Sequence, residues 1–285
     1  MNTDRDGDLT IDGALRVAGV DRVDAKALLR AALQCDDAHL ISHGRDRIAP
    51  AALQAFRALV ARRIAGEPVA YIVGQREFYG LAFVVTPAVL IPRPETELLV
   101  DLALERMPSG VATRVLDLGT GSGCIAIAIA HERPGADVVG VDCSAEAVAV
   151  ARANARTIPG GDRRLRFLQG DWYAAVTGER FDVIVSNPPY VAAGDPHLAI
   201  GDLRFEPSRA LSDGADGLDC IREISRSAHA HLRTGGWLLL EHGFGQDDAC
   251  RVLLAAAGFR EIRSEADVAG IPRVTFGKAY GDSMR

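Results

Sequence analysis

Hydrophobic residues recur at spacings of three and four positions throughout the first part of the chain. This periodicity predicts helices over Leu9–Val20, Val23–Leu33 and Ala51–Ile64. Asp21 precedes the second of these segments and is a typical N-cap residue. Since no strand pattern interrupts the helices, we expect residues 1–75 to form a separate helical-bundle domain.

Two short segments rich in β-branched and aromatic residues follow the helical region. Val69–Val73 and Leu81–Val85 predict the strands of a β-hairpin, with Gly74 and Gly80 as turn signals. We assign residues 76–110 to this hairpin and to the proline-rich linker behind it.

From residue 111 onward, apolar β-rich segments alternate with helical patterns. Strands are predicted at 115–118, 137–141, 166–168, 181–185, 237–240, 260–264 and 272–277. Helices are predicted at 124–132, 145–154, 218–232 and 247–257. Strands that alternate with helices form a mainly parallel sheet covered on both faces. We therefore expect residues 111–285 to form a Rossmann-like α/β domain with a mixed seven-stranded sheet, whose last two strands are antiparallel.

The composition is that of an ordinary globular protein. Apolar residues make up 48% and charged residues 25% of the chain, which excludes a disordered or fibrous protein. No apolar run approaches the roughly 18 residues of a membrane span, and the polar N-terminus predicts no signal peptide. The five cysteines never form a CxxC pair. We therefore expect no disulfide framework, no metal site and a cytoplasmic location.

The charge of the chain bears on its partners. The formal net charge is −6, with ten acidic and ten basic residues in residues 1–75 and 28 acidic against 22 basic residues in the remainder. A nucleic-acid-binding protein usually carries a basic excess. We therefore expect no stable binding to nucleic acid.

A glycine-rich loop joins the first predicted strand of the second domain to its helix. It consists of Gly119, Thr120, Gly121, Ser122 and Gly123. Glycines let a backbone approach a ligand closely, and the following helix N-terminus offers free N–H groups. Asp142 ends the next strand, where a carboxylate can accept hydrogen bonds from both ribose hydroxyls of a nucleoside. Asp171 and Trp172 follow the third strand, at the place expected for the adenine end.

Two other interpretations of this loop are weaker. A glycine-rich turn between strand and helix can serve packing alone, but the acidic residue at the end of the next strand favours a nucleoside site. A dinucleotide fingerprint would need glycine at position 124, where this chain has Cys124. A dinucleotide-dependent oxidoreductase is therefore disfavoured.

A second loop, Asn187-Pro188-Pro189-Tyr190, directly follows the fourth strand. It lies at the carboxyl edge of the predicted sheet, where open α/β sheets bind ligands. The prolines remove two N–H donors and leave carbonyl acceptors, and Asn187 adds an acceptor oxygen. Tyr190 supplies a ring that can lie over a flat group. We interpret these four residues as the catalytic and substrate-binding residues for a planar amino group.

Together these segments resemble the PrmC/HemK family of bacterial protein-(glutamine) methyltransferases, which modify peptide-chain release factors. The resemblance spans about residues 10–280. Its motifs are Gly66–Pro68, Gly74–Phe78, Ile91–Glu97, Asp117–Gly123, Asn187–Tyr190 and Glu241–Gly243. The Asn-Pro-Pro-Tyr motif is shared with adenine methyltransferases of nucleic acids. The motifs within Gly74–Glu97 and the helical N-terminal domain therefore point to the protein-modifying branch.

The resemblance implies S-adenosyl-L-methionine as the methyl donor and a class I methyltransferase fold. Gly119–Gly123 would line the methionine end of the donor, and Asp142 would hold its ribose. Asp171 and Trp172 would flank its adenine, and Asn187 would border both donor and acceptor.

The resemblance also implies the acceptor. Asn187 and the Pro188 carbonyl would grip the side-chain amide of a glutamine, and Phe78 is a candidate for the same substrate pocket. The expected substrates are class I release factors, modified at their Gly-Gly-Gln motif by a monomeric enzyme that recognises them through residues 1–75. Two alternatives stay open: a nucleic-acid amino-group methyltransferase, and a non-catalytic module that binds S-adenosylmethionine.

Overall fold

The computed structural model describes residues 9–108, 110–158 and 164–280. The chain divides into two compact units, Met1–Gln75 and Arg76–Arg285. One apolar cluster forms the core of the first unit, and two clusters form the core of the second. Within the described ranges, no helix has the length and apolar character needed to cross a membrane.

The N-terminal unit consists of short helices around a small apolar core. Its helices are α1 (Ile11–Val17), α2 (Arg22–Leu33), α3 (Asp37–Ser42), α4 (Pro50–Ile64) and α5 (Val69–Val73). Thr10, Asp21 and Asp36 cap the first three helices, because the side chain of each accepts a hydrogen bond from a backbone N–H of the first turn. Leu28 and Leu29 of α2 are fully buried. The predicted helical N-terminal domain is confirmed.

The prediction of a strand at Val69–Val73 is wrong, because this segment forms α5. Pro68 occupies its N-cap position, and Gly74 ends it in the left-handed conformation with φ 79°. The helix buries Tyr71 and Ile72. Burial of one helical face thus outweighs the β propensity of the segment, since β propensity depends strongly on context.

The predicted β-hairpin is present, but its first strand lies beyond the predicted segment. Its strands are β1 (Gln75–Phe78) and β2 (Leu81–Val84). The two turn residues, Tyr79 and Gly80, have positive φ values of 54° and 71°, as in the type I′ turns that suit the twist of a hairpin. The Tyr79 N–H donates to Glu97 Oε1 at 2.8 Å, which holds this non-glycine residue in its unusual conformation.

The second unit contains a seven-stranded sheet. Its strands are β3 (Arg114–Leu118), β4 (Asp137–Asp142), β5 (Leu165–Gln169), β6 (Phe181–Ser186), β7 (Leu232–Glu241), β8 (Arg260–Ala266) and β9 (Pro272–Lys278). Their order across the sheet is β5-β4-β3-β6-β7-β9-β8. β9 runs antiparallel to both of its neighbours, and the other neighbouring pairs are parallel. The predicted mixed sheet with an antiparallel end is confirmed.

Helices cover both faces of this sheet. They are α6 (Glu97–Glu105), α7 (Cys124–Glu132), α8 (Ala145–Thr157), α10 (Asp219–His231) and α11 (Asp247–Ala256), and the short helix α9 (Ser208–Leu211) contributes to the cavity described below. α6, α7 and α8 share one apolar cluster with the sheet, and α10 and α11 share the other. α7 is buried continuously from Cys124 to Ala130, as expected for a helix that is apolar on all sides.

The centre of the sheet is a switch point in the order of its strands. β3 and β6 are neighbours there, and the chain continues to β4 on one side and to β7 on the other. Their register pairs Leu118 with Ser186, and the Ser186 hydroxyl donates to the Leu118 carbonyl at 2.7 Å. The loops that follow these two strands therefore begin side by side. Open α/β sheets bind their ligands outside the carboxyl ends of the strands at such a point.

Candidate active site

A cavity of about 300 Å³ lies at the carboxyl edge of the sheet, where β3 and β6 meet. The sequence-predicted site residues in its wall are Gly119, Thr120, Gly121, Ser122, Asp142, Asp171, Trp172, Asn187 and Pro189. The structure thus brings the glycine loop, the acid at the end of β4 and two residues of the Asn-Pro-Pro-Tyr loop to a single cavity. The other two loop residues, Pro188 and Tyr190, are not in its wall.

The glycine loop is folded tightly onto β4. The N–H groups of Gly119 and Thr120 both donate to the Val141 carbonyl at 2.9 Å. Gly119 and Gly121 have φ values of 72° and 54°, a left-handed conformation that glycine adopts without the steric cost of a Cβ atom. The loop therefore presents bare backbone to the cavity.

Gly123 has a different role from the other two glycines. It precedes α7 with φ 81°, and it is absent from the cavity wall. A Cβ atom here would lie 3.0 Å from Ala151 Cβ and 3.1 Å from the side chains of Ile127 and Phe167. Gly123 thus allows α7 to pack closely against α8 and β5, and its direct contact with a cofactor remains only a prediction.

Asp142 ends β4 with both carboxylate oxygens engaged by backbone groups. Oδ2 accepts from the Gly121 N–H and Oδ1 from the Ser144 N–H, each at 2.9 Å. A carboxylate has about four lone-pair sites, so Asp142 retains the capacity to accept hydrogen bonds from two hydroxyl groups. Its side chain therefore both holds the glycine loop and offers acceptors at the cavity.

Trp172 lines the cavity in a strained backbone conformation. Its φ is 41°, a region in which a bulky side chain costs of the order of 1–3 kcal/mol. A Cβ atom on Gly119 would lie 3.7 Å from Trp172 Cζ3, so the indole ring borders the glycine loop. Strain of this kind persists where the surrounding structure holds a side chain in a functional position.

Asp117 holds the glycine loop through Thr120 and was not among the predicted site residues. It is fully buried in β3, and Oδ2 accepts from the Thr120 hydroxyl at 2.6 Å. Burial raises the pKa of Asp117 to about 7. The sequence does carry a signal, because an acidic residue interrupts the apolar run from Val115 to Leu118 directly before the glycine loop.

The Asn187–Tyr190 loop is held by side chains distant in sequence. Asn187 is half-buried, and its Nδ2 donates to Thr96 Oγ1 at 3.2 Å. The Tyr190 hydroxyl donates to Glu241 Oε1 at 3.3 Å, and the Tyr190 carbonyl accepts from Gln246 Nε2 at 3.0 Å. Burial raises the pKa of Tyr190, so its hydroxyl stays protonated and acts as a donor to Glu241.

A long-range ion pair completes the cavity wall. Arg93 lines the cavity and pairs with Glu206, whose side chain is fully buried and also accepts from the Ile91 N–H at 3.0 Å. The segment that follows contributes Pro207, Arg209, Ala210, Ser212 and Asp213 to the wall. The sequence marks the Ile91–Glu97 motif, but it gives no sign of a partner 113 residues away.

Phe78 does not line the cavity. It is 1% exposed and packs edge-to-face against Phe83, with ring centroids 6.1 Å apart. The side chain closes the apolar face of the hairpin against the core of the second unit. The structure therefore corrects its assignment as a substrate-pocket residue to that of a core residue.

The two buried carboxyls at this edge predict a pH dependence of stability. Burial raises the pKa of Glu241, like that of Asp117, to about 7. Between the ordinary carboxyl pKa and pH 7 the folded protein therefore binds more protons than the unfolded chain, so these groups stabilise the fold at low pH and lose this contribution as the pH rises. A Glu241→Gln variant lacks the contribution of Glu241.

Urea denaturation at pH 5 and pH 8 measures this contribution. The difference in unfolding free energy between the original protein and Glu241→Gln should shift in favour of the original protein at pH 5. The expected shift is about 2 to 3 kcal/mol. A difference that is the same at both pH values would contradict the account.

Comparisons with known proteins agree with the two units. Residues 12–74 match the family model described as PrmC N-terminal domain, and residues 96–215 match the methyltransferase small domain. The release factor glutamine methyltransferase of Xylella fastidiosa (strain Temecula1) is 52% identical over 262 residues, which cover 92% of this chain and 94% of the relative. The protein of the same name from Burkholderia pseudomallei is 51% identical over 285 residues, with coverage of 99% and 100%.

Two solved structures are similar in fold to this chain. A methyltransferase from Pyrococcus furiosus, 18% identical, superposes with a TM-score of 0.54 over 78% of this chain and 98% of its own. A 16S rRNA methyltransferase of T. thermophilus, in complex with AdoMet and guanosine, is 26% identical with a TM-score of 0.52, covering 72% of this chain and 49% of its own.

The sheet order, the glycine loop at its switch point and these structural neighbours define the class I fold of S-adenosylmethionine-dependent methyltransferases. The relatives in sequence identify the family within this class. Identity of about half over more than nine-tenths of both chains shows that this chain belongs to the release factor glutamine methyltransferase family.

Proposed function

We propose that this protein transfers a methyl group from S-adenosyl-L-methionine to the side-chain amide nitrogen of a glutamine in class I release factors, at their Gly-Gly-Gln motif. The observation that carries the proposal is the contact between the two loops. A Cβ atom on Gly119 would lie 3.9 Å from the Asn187 carbonyl oxygen. An acceptor held by the Asn187 loop would therefore lie directly against a donor held by the glycine loop.

The donor side of the cavity fits S-adenosylmethionine by its chemistry. Gly119 and Gly121 leave backbone free of side chains, Asp142 offers acceptors to ribose hydroxyls, and Trp172 offers an aromatic edge to the adenine. When bound, the sulfonium supplies a methyl group that is already activated for transfer. The protein therefore needs no residue that creates an electrophile.

The acceptor side needs alignment more than chemical activation. An amide nitrogen is a poor nucleophile, because its lone pair is delocalised into the carbonyl group. The Asn187 side chain and the Pro188 carbonyl can accept hydrogen bonds from the acceptor NH2 group and so fix its orientation. The same acceptors stabilise the positive charge that develops on nitrogen. The methylated cation is strongly acidic, so a strong general base is unnecessary.

The N-terminal unit is proposed to recognise the protein substrate. Support comes from its separate core and from its match to the PrmC N-terminal domain over residues 12–74. A chain that begins at Arg76, the first residue of the second unit, should bind S-adenosylmethionine with unchanged affinity, because it keeps the core of that unit and the cavity wall starts at Ala88. It should lose most of its methylation of release factors. Circular dichroism would verify that the shortened chain is folded, and methylation at the full rate would contradict the recognition role.

Methyl transfer to parallel acceptors tests the proposed activity. The protein is incubated with labelled donor and with a class I release factor, duplex DNA or ribosomal RNA. We expect label only in the release factor, and the net charge of −6 supports this choice over nucleic acid. Label in DNA or RNA would favour a nucleic-acid methyltransferase, and donor binding without any transfer would favour a non-catalytic module.

We further propose that the enzyme acts as a monomer in the cytoplasm.

A further inference from the structure

The orientation of the Asn187 side chain is decided by a hydroxyl group outside its loop. The planar amide has a donor end, Nδ2, and an acceptor end, Oδ1. Nδ2 donates to Thr96 Oγ1 at 3.2 Å, and Thr96 is only 2% exposed. Thr96 ends the 3₁₀ turn Pro94–Thr96 and directly precedes α6. An Asn187 amide with its NH2 end at Thr96 has its oxygen at the opposite end.

The Thr96 oxygen offers Asn187 a lone pair in this hydrogen bond, since Nδ2 is the donor. The hydroxyl therefore meets the NH2 end of the amide, and Oδ1 lies at the end away from Thr96.

Glu241 holds the other end of the loop. It is 1% exposed at the end of β7, the strand beside β6, and its Oε1 accepts from the Tyr190 hydroxyl at 3.3 Å. Side chains outside the loop therefore hold both of its ends.

We propose that Thr96 is a positioning residue for methyl transfer, whose hydroxyl sets the amide of Asn187 with Nδ2 inward and Oδ1 toward the amide to be methylated. This inference rests on the function proposed above. It adds that the orientation of the Asn187 amide is determined outside the Asn-Pro-Pro-Tyr loop, by a hydroxyl group on the 3₁₀ turn before α6.

Paired substitutions at position 96 test the inference. Thr96→Val keeps the shape but removes the hydroxyl, so Asn187 loses its fixed orientation. We expect kcat on a release factor to fall about tenfold to a hundredfold, while the Kd for S-adenosylmethionine stays the same. Thr96→Ser restores the hydroxyl and should remain within about threefold of the original kcat. Equal kcat values for Thr96→Val and the original protein would overturn the inference.

A double-mutant cycle separates positioning from general damage to the fold. In an Asn187→Ala background the hydroxyl has no amide to orient, so Thr96→Val should cause almost no further loss in single-turnover rate. Equal losses in both backgrounds would mean a structural role only and would overturn the inference. If Thr96→Val fails to fold, Thr96→Ala is measured in the same cycle. It also lacks the hydroxyl, so the same pattern of loss is expected.

The failure of this inference is distinguishable from the failure of the proposed function. An original protein that methylates no release factor would contradict the function itself. An active original protein whose rate is insensitive to the Thr96 hydroxyl would contradict only the positioning role.

Discussion

Asn187→Ala is expected to lower the turnover of release-factor methylation about 100- to 1000-fold, the usual cost of one well-aimed polar group in an active site. The side chain directly follows β6 at the switch point of the sheet, and it is half-buried at the cavity rather than in the core. Its loss removes an acceptor for the incoming amide but no apolar packing. The fold and the affinity for S-adenosylmethionine should therefore stay nearly intact.

Single-turnover methylation, with donor binding measured separately, checks this result. Asn187→Asp is the matched control, because it keeps the size and the oxygen acceptors but loses the NH2 group that donates to Thr96. It also places a carboxyl group against the Thr96 hydroxyl. We therefore expect Asn187→Asp to remain at least about tenfold slower than the original protein. Turnover near the original value in Asn187→Ala would mean that this loop is not the acceptor clamp.

Asp142→Ala is expected to weaken the binding of S-adenosylmethionine about tenfold to a hundredfold. Hydrogen bonds to charged groups contribute roughly 1.5–3 kcal/mol, and the variant removes the carboxylate proposed to accept from the ribose. It also leaves the N–H groups of Gly121 and Ser144 without their acceptor. Part of the loss could then come from a displaced loop, and calorimetry with one ligand would not separate the two causes.

A ligand comparison separates them. S-adenosylhomocysteine and an analogue that lacks both ribose hydroxyls are titrated against the original protein and Asp142→Ala. If the carboxylate binds the ribose, the substitution should weaken the binding of the complete ligand much more than that of the analogue. Equal losses for both ligands would assign the effect to the loop, and unchanged affinity for the complete ligand would contradict the ribose assignment.

The strands and loops that a local sequence pattern determines were predictable from the sequence. β3, β4 and β6 are apolar and short, and the loops behind them carry the glycine and Asn-Pro-Pro-Tyr motifs. Because the carboxyl ends of parallel strands share one edge, the sequence alone could bring these loops to one site. The prediction for the α5 segment was wrong because it relied on local pattern alone. Burial in the tertiary structure outweighs the β propensity of these five residues.

The groups that orient the site depend on contacts between distant positions. Asn187 meets Thr96 at a separation of 91 residues, and Tyr190 meets Glu241 at 51. Neither separation has a periodicity that a sequence pattern could reveal. The position of Phe78 was also unpredictable from the sequence. Its motif is visible in the sequence, but the hairpin turn determines that its side chain enters the core.

Mass spectrometry of a methylated release factor tests the central claim most directly. The factor is incubated with the protein and S-adenosylmethionine and digested, and the peptide with the Gly-Gly-Gln motif is fragmented. We predict one added methyl group on the side-chain nitrogen of that glutamine, present with the original protein and nearly absent with Asn187→Ala. A methyl group on another residue, or equal modification by both proteins, would contradict the account.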